Sequence, residues 1–562
     1  MNVRKRMAAV LLMLTLLATL MTGCGEEEAL TLTATLGDGL ETLDPIYATD
    51  EEDQTILTHL YENLMRQTVD SAGNITLSVG MAKSYSSEEN LDGTVTWTFK
   101  LRSAKWSDGR TIKAKDFVYA WRRLANPASG SSYASILSIV AGYDEVRETG
   151  DTSLLQVTAK NDSTLEVVLT GNYEWFLSDV CTAVATSPLR EDVVTAARDA
   201  AVERNKATEE ETGEAGTEKW WTRTENLVTN GPYVISAYEA QKSITLSRYE
   251  KYYDNDMGPE SLIFRFVPSA EDAQALYDAG SVDLMWPMPS SWVETMLADE
   301  SWEPVTELGA YTVLFNCGQS VFADPLVRQA MTLAIDRNAL AQAAGVTARA
   351  AEALVPRGVP DNPEEDFRTC AGALLDNDPE TYADRCAQAK TLLGDAAYDS
   401  GYHLGELEYL YADTPENAAV AEELAQQWKD VLNIRVTPVP VTEKELRTAL
   451  KDGSYTLAGM DVKAVGNDAE CFLMQWTSDS EGNVVRYENS AYDTLLAIIA
   501  SAPDGTARLG CLHDAEVLLL EDNVVAPLYH RVTAWSLRAP YSGLSRDARG
   551  WFYLGNVYAK TA

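Results

Sequence analysis

Histidine, cysteine and basic side chains are all scarce in this sequence, and each shortage closes off a class of chemistry. Four histidines in 562 residues, His59, His403, His513 and His530, are scattered and leave little room for a histidine-based metal or catalytic centre. Seven cysteines occur and no two are spaced as CxxC, which argues against a zinc cluster. The nucleophile-elbow pattern GxSxG and the zinc motif HExxH are absent, so an exported hydrolase has no evident machinery. His59 and Glu62 stand at HxxE spacing on an expected helix and read as a satisfied surface pair, not a ligand set. Basic residues number 45 against 85 acidic ones, a formal charge of −40. A surface of that sign repels phosphate backbones and anionic headgroups, so nucleic acid is excluded as a partner and the body is expected in solvent. There is neither an internal repeat nor a long low-complexity linker.

What is present points to a large pocketed protein. The length exceeds what one core organises, so two or more domains are expected. Hydrophobic residues at 46% and charged residues at 23% give ordinary globular composition. Thirteen Trp and 26 Tyr are many, and such rings line pockets for varied ligands as well as filling cores.

The opening stretch gives the location. Arg4, Lys5 and Arg6 precede an apolar run from Met7 to Met21, too short and wrongly flanked for a spanning helix and suited to a secretory signal. Thr22, Gly23 and Cys24 follow. An apolar residue, two small ones and then Cys resembles the lipobox of bacterial lipoproteins, with Met21 where leucine is commoner. The resemblance implies a leader over 1–23, a diacylglycerol on the Cys24 thiol, and Glu26, Glu27 and Glu28 as the start of a solvated tether. Two acyl chains hold a protein firmly at a bilayer. The mature chain is thus expected outside the cytoplasmic membrane, lipid-anchored on its outer face. Export permits disulfides among Cys181, Cys317, Cys370, Cys386, Cys471 and Cys511. Cys370 and Cys386 bracket the polar loop AGALLDNDPETYADR and are the expected bridge, with free thiols as the alternative.

Periodicity places the elements. LTLTATL reads as a strand, and in TVTWTFKLR residues Val95, Trp97, Phe99 and Leu101 point one way. Ser107-Asp108-Gly109 is turn chemistry, and KDFVYAWRRL then puts Phe117, Ala120, Trp121 and Leu124 on one helical stripe. Residues 191–226 read as a surface helix with a polar insertion. Asp324-Pro325 has the pattern of an N-cap followed by proline at the first helical position. ENAAVAEELAQQWKDVL is a second amphipathic helix, with Val420, Leu424, Trp428 and Val431 on one face, running into the strand IRVTPV. The first half is strand-rich and the second alternates strand and helix, a mixed α/β chain overall.

Several blocks, taken in order, resemble family 5 of the bacterial extracellular solute-binding proteins. They are LETLDPIYATDEEDQTILTHLYENLM, TWTFKLRSAKWSDGRTIKAKDFVYAWRRLANP, SSYASIL, LVTNGPYVI, FNCGQSVFADPLVRQAMTLAIDR and RYENSAYDTLL. The resemblance implies a two-lobed periplasmic-binding-protein-like fold (type II, cluster C) with an extra subdomain. It places a tether and first strand at 24–50, the lobe I subdomain at 51–174, more of lobe I at 175–310, lobe II at 311–529 and a C-terminal return to lobe I at 530–562. It further implies a monomer without enzymatic activity or cofactor, which captures an oligopeptide by lobe closure and delivers it to an ABC permease with its ATPase. Binding of another solute (a sugar, a metal chelate or an opine-like compound) is the alternative reading, and a sensory receptor is a further one. In peptide binders of this family a buried carboxylate pairs with the ligand's α-ammonium group. The matching stretch here is YTLAGMDVKAVGNDAECFL, where Val465 stands in place of that aspartate and Val462 in place of a tryptophan. Asp461 or Asp468 is then the substitute candidate. Tyr133, Trp476, Thr49 and Asp50 complete the ligand-facing candidates.

Overall fold

The alternation in LTLTATL becomes β1 (Thr31–Leu36), with Leu32, Ala34 and Leu36 at most 1% exposed. The computed structural model describes residues 30–560 apart from 38, 70–74, 213–218, 255–257, 298–304, 363–364, 399 and 500–504. The leader, Cys24 and the glutamates after it lie outside the described residues. A hairpin, β2 (Met65–Val69) and β3 (Ile75–Val79), leads into a four-stranded antiparallel sheet. That sheet contains β4 (Ala82–Glu89), β5 (Val95–Leu101), β6 (Val157–Asn161) and β7 (Thr164–Leu169), in the order β4-β5-β7-β6. The helix Ala114–Ala125 packs against β6 and β7, and its stripe of Phe117, Ala120, Trp121 and Leu124 is fully buried. Burying each of its larger apolar side chains contributes roughly 1.5–3 kcal/mol, and the Ala120 methyl less. The tight turn before the helix requires Gly109, whose φ of 86° is left-handed.

A six-stranded sheet surrounds β1. It adds β8 (Tyr233–Glu239), β9 (Ser243–Arg248), β10 (Ser261–Phe266), β11 (Leu284–Met285) and, from the far end of the chain, a strand at Ser536–Leu537. β8, β9 and β10 form an antiparallel meander, while β1 lies parallel to β10, Ala34 opposite Phe264.

The second half builds a seven-stranded sheet from β12 (Val305–Thr306), β13 (Gly309–Phe315), β14 (Ala348–Ala350), β15 (Glu406–Ala412), β16 (Arg435–Val441), β17 (Leu457–Lys463) and β18 (Val525–Thr533). β15 and β16 are parallel, so the connection between them must cross over, and the helix Pro415–Leu432 makes that crossing. Its face carries Val420, Leu424 and Trp428, all fully buried, and the Trp428 indole donates to the Met331 carbonyl at 2.8 Å. The helix Pro325–Leu333 starts as its sequence predicts, the Asp324 carboxylate accepting the Leu326 N–H at 2.9 Å with Pro325 at the first position. The chain leaves the six-stranded sheet between Met285 and Val305, and it returns between Thr533 and Ser536 as β19 (Ser536–Leu537). At this junction β12 and β18 pair antiparallel.

Two expectations are corrected here. His59 and Glu62 are neither exposed nor paired with each other: they are 0% and 5% exposed, and the His59 ring packs against Tyr233 of β8 and Phe264 of β10. The His59 Nδ1–H donates to the Thr55 carbonyl at 2.6 Å, Nε2 accepts the Leu554 N–H at 2.9 Å, and the ring stacks on Tyr553. Burial drives this neutral imidazole down to about 4. Glu62 accepts the Tyr252 and Tyr253 hydroxyls at 2.6 and 2.9 Å. The bridge between Cys370 and Cys386 is not formed either, and all six described cysteines are free thiols. Cys370 is exposed at the end of a short helix, its sulfur accepting the Asn362 amide at 3.4 Å, whereas Cys386 lies beside Tyr382 on another helix.

Candidate functional site

The helix Glu51–Leu60 begins with Asp50 as N-cap and three acidic residues in its first turn, which favours the start of a helix electrostatically. Asp53 turns back to accept the Glu41 and Thr42 N–H groups at 3.1 Å each, fixing the loop that precedes the helix. The residues ahead of it, Thr49 to Glu52, face a cleft of about 380 Å³ at the junction of the two large sheets. Trp286, Pro287, Met288 and Val293, which follow β11, form its apolar side. Glu307, Lys463, Val532 and Thr533 reach it from the ends of the seven-stranded sheet.

Charges in the cleft are only partly matched. The Thr533 hydroxyl donates to Glu307 Oε1 at 2.9 Å and accepts from Arg546 Nη2 at 2.8 Å. Arg546 is buried against Trp535 and Phe552, and its Nη2 comes no nearer than 3.6 Å to Glu51 Oε2. That separation gives Coulombic attraction without a hydrogen bond. Burial pushes the Glu51 carboxyl up to about 7, Arg546 opposing the rise and Glu307 adding to it.

Beyond the cleft the two halves of the chain touch along a polar seam. The Asp179 carboxylate accepts the Asn467 N–H at 2.6 Å, and a side chain on Gly466 would collide with it. The Trp175 indole donates to Glu470 Oε2 at 3.1 Å, and Arg147 pairs with Glu481 at 3.2 Å. Arg549 grips Asp547 through two bonds, at 2.8 and 3.0 Å, and also donates to the Asp179 carbonyl and the Thr182 hydroxyl. Bidentate geometry makes that pair a rigid post beside the seam.

Of the candidates read from sequence, Thr49 and Asp50 line the cleft and are exposed. Tyr133 is half-buried a step deeper, its hydroxyl accepting the Gln54 amide at 2.9 Å. Burial raises the Tyr133 phenol, with Arg549 opposing the rise. Asp461 is engaged elsewhere: it pairs with Arg531, which also holds Glu416 at 2.7 Å and lies over the Tyr529 ring. Asp468 caps the helix Ala469–Leu473 by accepting the Glu470 N–H at 2.8 Å, and it takes Arg508 at 2.7 Å. Trp476 is 1% exposed and belongs to the core. Val465 is half-buried, next to the Gly466 contact. Glu51, Glu307, Lys463 and Trp286 were missed. Glu51 adjoins two candidates and could have been found, whereas the others come from distant segments with no local signal.

Residues 76–484 match the family described as bacterial extracellular solute-binding proteins, family 5 Middle. Escherichia coli YgiS, a probable deoxycholate-binding periplasmic protein, is 29% identical over 517 residues, 89% of this chain and 88% of its own. The periplasmic oligopeptide-binding protein OppA of the same organism is 28% identical over 546 residues, 94% and 93% of the two chains. The crystal structure of Haemophilus influenzae OppA in complex with RPPGFSPFR superposes with a TM-score of 0.73 at 26% identity, covering 95% of this chain and 99% of that one. The mixed α/β architecture is shared with that two-lobed peptide-binding structure, and the chain belongs to the bacterial extracellular solute-binding proteins, family 5.

Proposed function

We propose that this protein is the receptor subunit of an ABC importer, which captures a short peptide between its two lobes and presents it to a membrane permease. The cleft at the junction of the two large sheets carries the reading. It has an apolar wall for side chains, polar groups from both halves, and contacts beyond it that form only when the halves meet. A ligand that touches both halves favours the closed arrangement by its differential contacts, and closure is then the signal a permease reads. Capture in the micromolar range corresponds to about −8 kcal/mol, within reach of a cleft of this kind without covalent chemistry. The relatives named for oligopeptide binding, one of them holding a peptide, support this class of ligand.

The name of YgiS suggests a second class, an anionic steroid. The charge of the cleft disfavours it: Asp50, Glu51, Glu52 and Glu307 face it against Lys463. A ligand with a carboxylate and no cation would enter against repulsion, whereas a zwitterionic peptide also brings an ammonium group that offsets its carboxylate.

We take the lobe divide at the two chain crossings beside β12 and β18. Cys24 carries the lipid anchor, and the protein works as a monomer at the outer face of the membrane. Among the described residues no helix is long and apolar enough to cross a membrane, so attachment in this reading rests on the acylated cysteine. The test is tryptophan fluorescence titration with a tripeptide library and, separately, with deoxycholate, followed by native mass spectrometry of the complex. Saturable peptide binding without hydrolysis is expected. Binding of deoxycholate alone, or turnover of peptides, overturns the proposal.

A further inference from the structure

Among the described residues lining the cleft there are four carboxylates, Asp50, Glu51, Glu52 and Glu307, and one cation, Lys463. They are not equivalent. Glu307 is satisfied by the Thr533 hydroxyl, which Arg546 in turn steadies. Asp50 lies at the exposed rim beside the Thr49 hydroxyl. Glu51 sits deeper, walled on one side by the backbone at Gly550, where a Cβ would come within 2.6 Å of its carboxyl carbon. Its Oε2 is buried and has no hydrogen-bond partner, and the Arg546 guanidinium beside it likewise keeps Nε and Nη1 unpartnered at 2% side-chain exposure. Arg546 is held where it is by Thr533 and by its aromatic sandwich, so it cannot close the 3.6 Å gap without losing both. A buried carboxylate oxygen left without a donor is costly, and the same side chain, 21% exposed, lines the cleft, where a ligand can bring a cation to the under-satisfied carboxylate.

We propose that Glu51 is the counter-charge for a cationic group of the captured ligand, either the α-ammonium of a peptide or a basic side chain near its amino end. This rests on the peptide reading above and names the residue that selects within it. Val465 removes a carboxylate from the seam, and Glu51 supplies one from the opposite half, at the start of the helix Glu51–Leu60. The cation would thereby be held from the β1 side, with Lys463 across the cleft left to meet a carbonyl or carboxylate of the same ligand. The groups facing Glu51 are Arg546, Glu307, Lys463 and Glu52, and burial outweighs their combined field, so the carboxyl titrates near neutrality until a cation arrives.

The test compares Ala-Ala-Ala and Lys-Ala-Ala, each with a free and an acetylated amino terminus, by calorimetry on the wild type and on Glu51→Gln. Acetylation is expected to weaken Ala-Ala-Ala about 10- to 100-fold in the wild type, the range for a lost charge-assisted hydrogen bond. The loss should be about 3-fold or less in Glu51→Gln. If the lysine side chain is the recognised cation, acetyl-Lys-Ala-Ala keeps its advantage over acetyl-Ala-Ala-Ala in the wild type and loses it in the variant. Equal discrimination in both proteins overturns the inference and leaves peptide binding standing. Failure of all four peptides to bind the wild type overturns both readings. Should the variant not fold, proton exchange decides: wild-type binding at pH 7 is expected to release about half a proton as the cation ionises Glu51. Calorimetry in buffers of different ionisation enthalpy measures it from pH 5 to pH 8, and the absence of release at every pH in that range refutes the assignment.

Discussion

Replacing Gly466 by alanine isolates the seam from the rest of the site. The added Cβ would stand 2.9 Å from both Cβ and Cγ of Asp179, where carbon atoms normally rest about 3.5–4.0 Å apart. Asp179 has no room to give way: Ser178 donates to one carboxylate oxygen at 2.6 Å, the Asn467 N–H to the other at 2.6 Å, and Arg549 holds its carbonyl. The halves must therefore stay about 1 Å further apart at this point, which carries the Asn467 bond beyond hydrogen-bonding range. A bond from N–H to a buried carboxylate is worth about 1.5–3 kcal/mol. The loss falls on the closed arrangement alone, so affinity for any ligand that needs closure should drop roughly 10- to 100-fold. Calorimetry with the best-binding peptide gives the affinity, and small-angle scattering should show a ligand-bound form less compact than wild type. The ligand-free thermal midpoint should be unchanged. Wild-type affinity in the variant would refute the reasoning, and so would a fall in ligand-free stability of the same size, since the seam would then be a permanent contact.

Three other perturbations test parts of the same picture. His59 is held neutral at a pKa of about 4 against an unfolded value of 6.5, so its contribution is complete above pH 6.5 and is lost as pH falls from there towards 4. At pH 5 the loss is about 2 kcal/mol. Buried acids such as Glu62 titrate in the opposite sense, so the measurement is the stability difference between wild type and His59→Gln, which should shrink by that amount from pH 7.5 to pH 5 in urea titrations. Arg508→Leu leaves Asp468 and Glu470 buried without their cation and should cost about 3–5 kcal/mol by denaturant unfolding, with no comparable loss for exposed pairs such as Lys242–Glu239. Gly459→Ala places a methyl group on the Tyr409 hydroxyl and within 2.7 Å of that of Tyr311. It should cost about 1–3 kcal/mol, read as a lowered thermal midpoint.

The fold was legible wherever it rests on local chemistry. β1, β5 and the helix Ala114–Ala125 follow from apolar period, and the start of the helix at Pro325 follows from an Asp-Pro cap, because each depends on residues within a few positions of one another. The site was less legible for the converse reason. Its lining draws on residues 49–52, 286–288, 293, 307, 347, 463 and 532–534, segments brought together only by the sheet order. Asp461 and Asp468 look like free carboxylates in the sequence, and nothing nearby announces that Arg531 and Arg508, 70 and 40 residues away, engage them. His59 misled in the same way: an HxxE spacing suggests a surface pair until β10 and the C-terminal Tyr553 are seen to close over the ring. Cys370 and Cys386 fail as a bridge because the short helix Phe367–Ala371 fixes one thiol among acidic groups while the other rides on a separate helix.

The pairing of β12 with β18 has a mechanical consequence. Where the chain changes sheets, β12 and β18 make a narrow ribbon, Val305 against Thr533 and Thr306 against Val532, with the Thr347 carbonyl accepting the Val532 N–H from the other side, and a ribbon flexes across its thin dimension far more readily than it shears in its plane. In the proposed closure the halves would swing about this ribbon. Because Val532 and Thr533 also face the cleft, a guest bound there under the proposed reading would lean on the pivot itself, which couples occupancy to the stiffness of the joint.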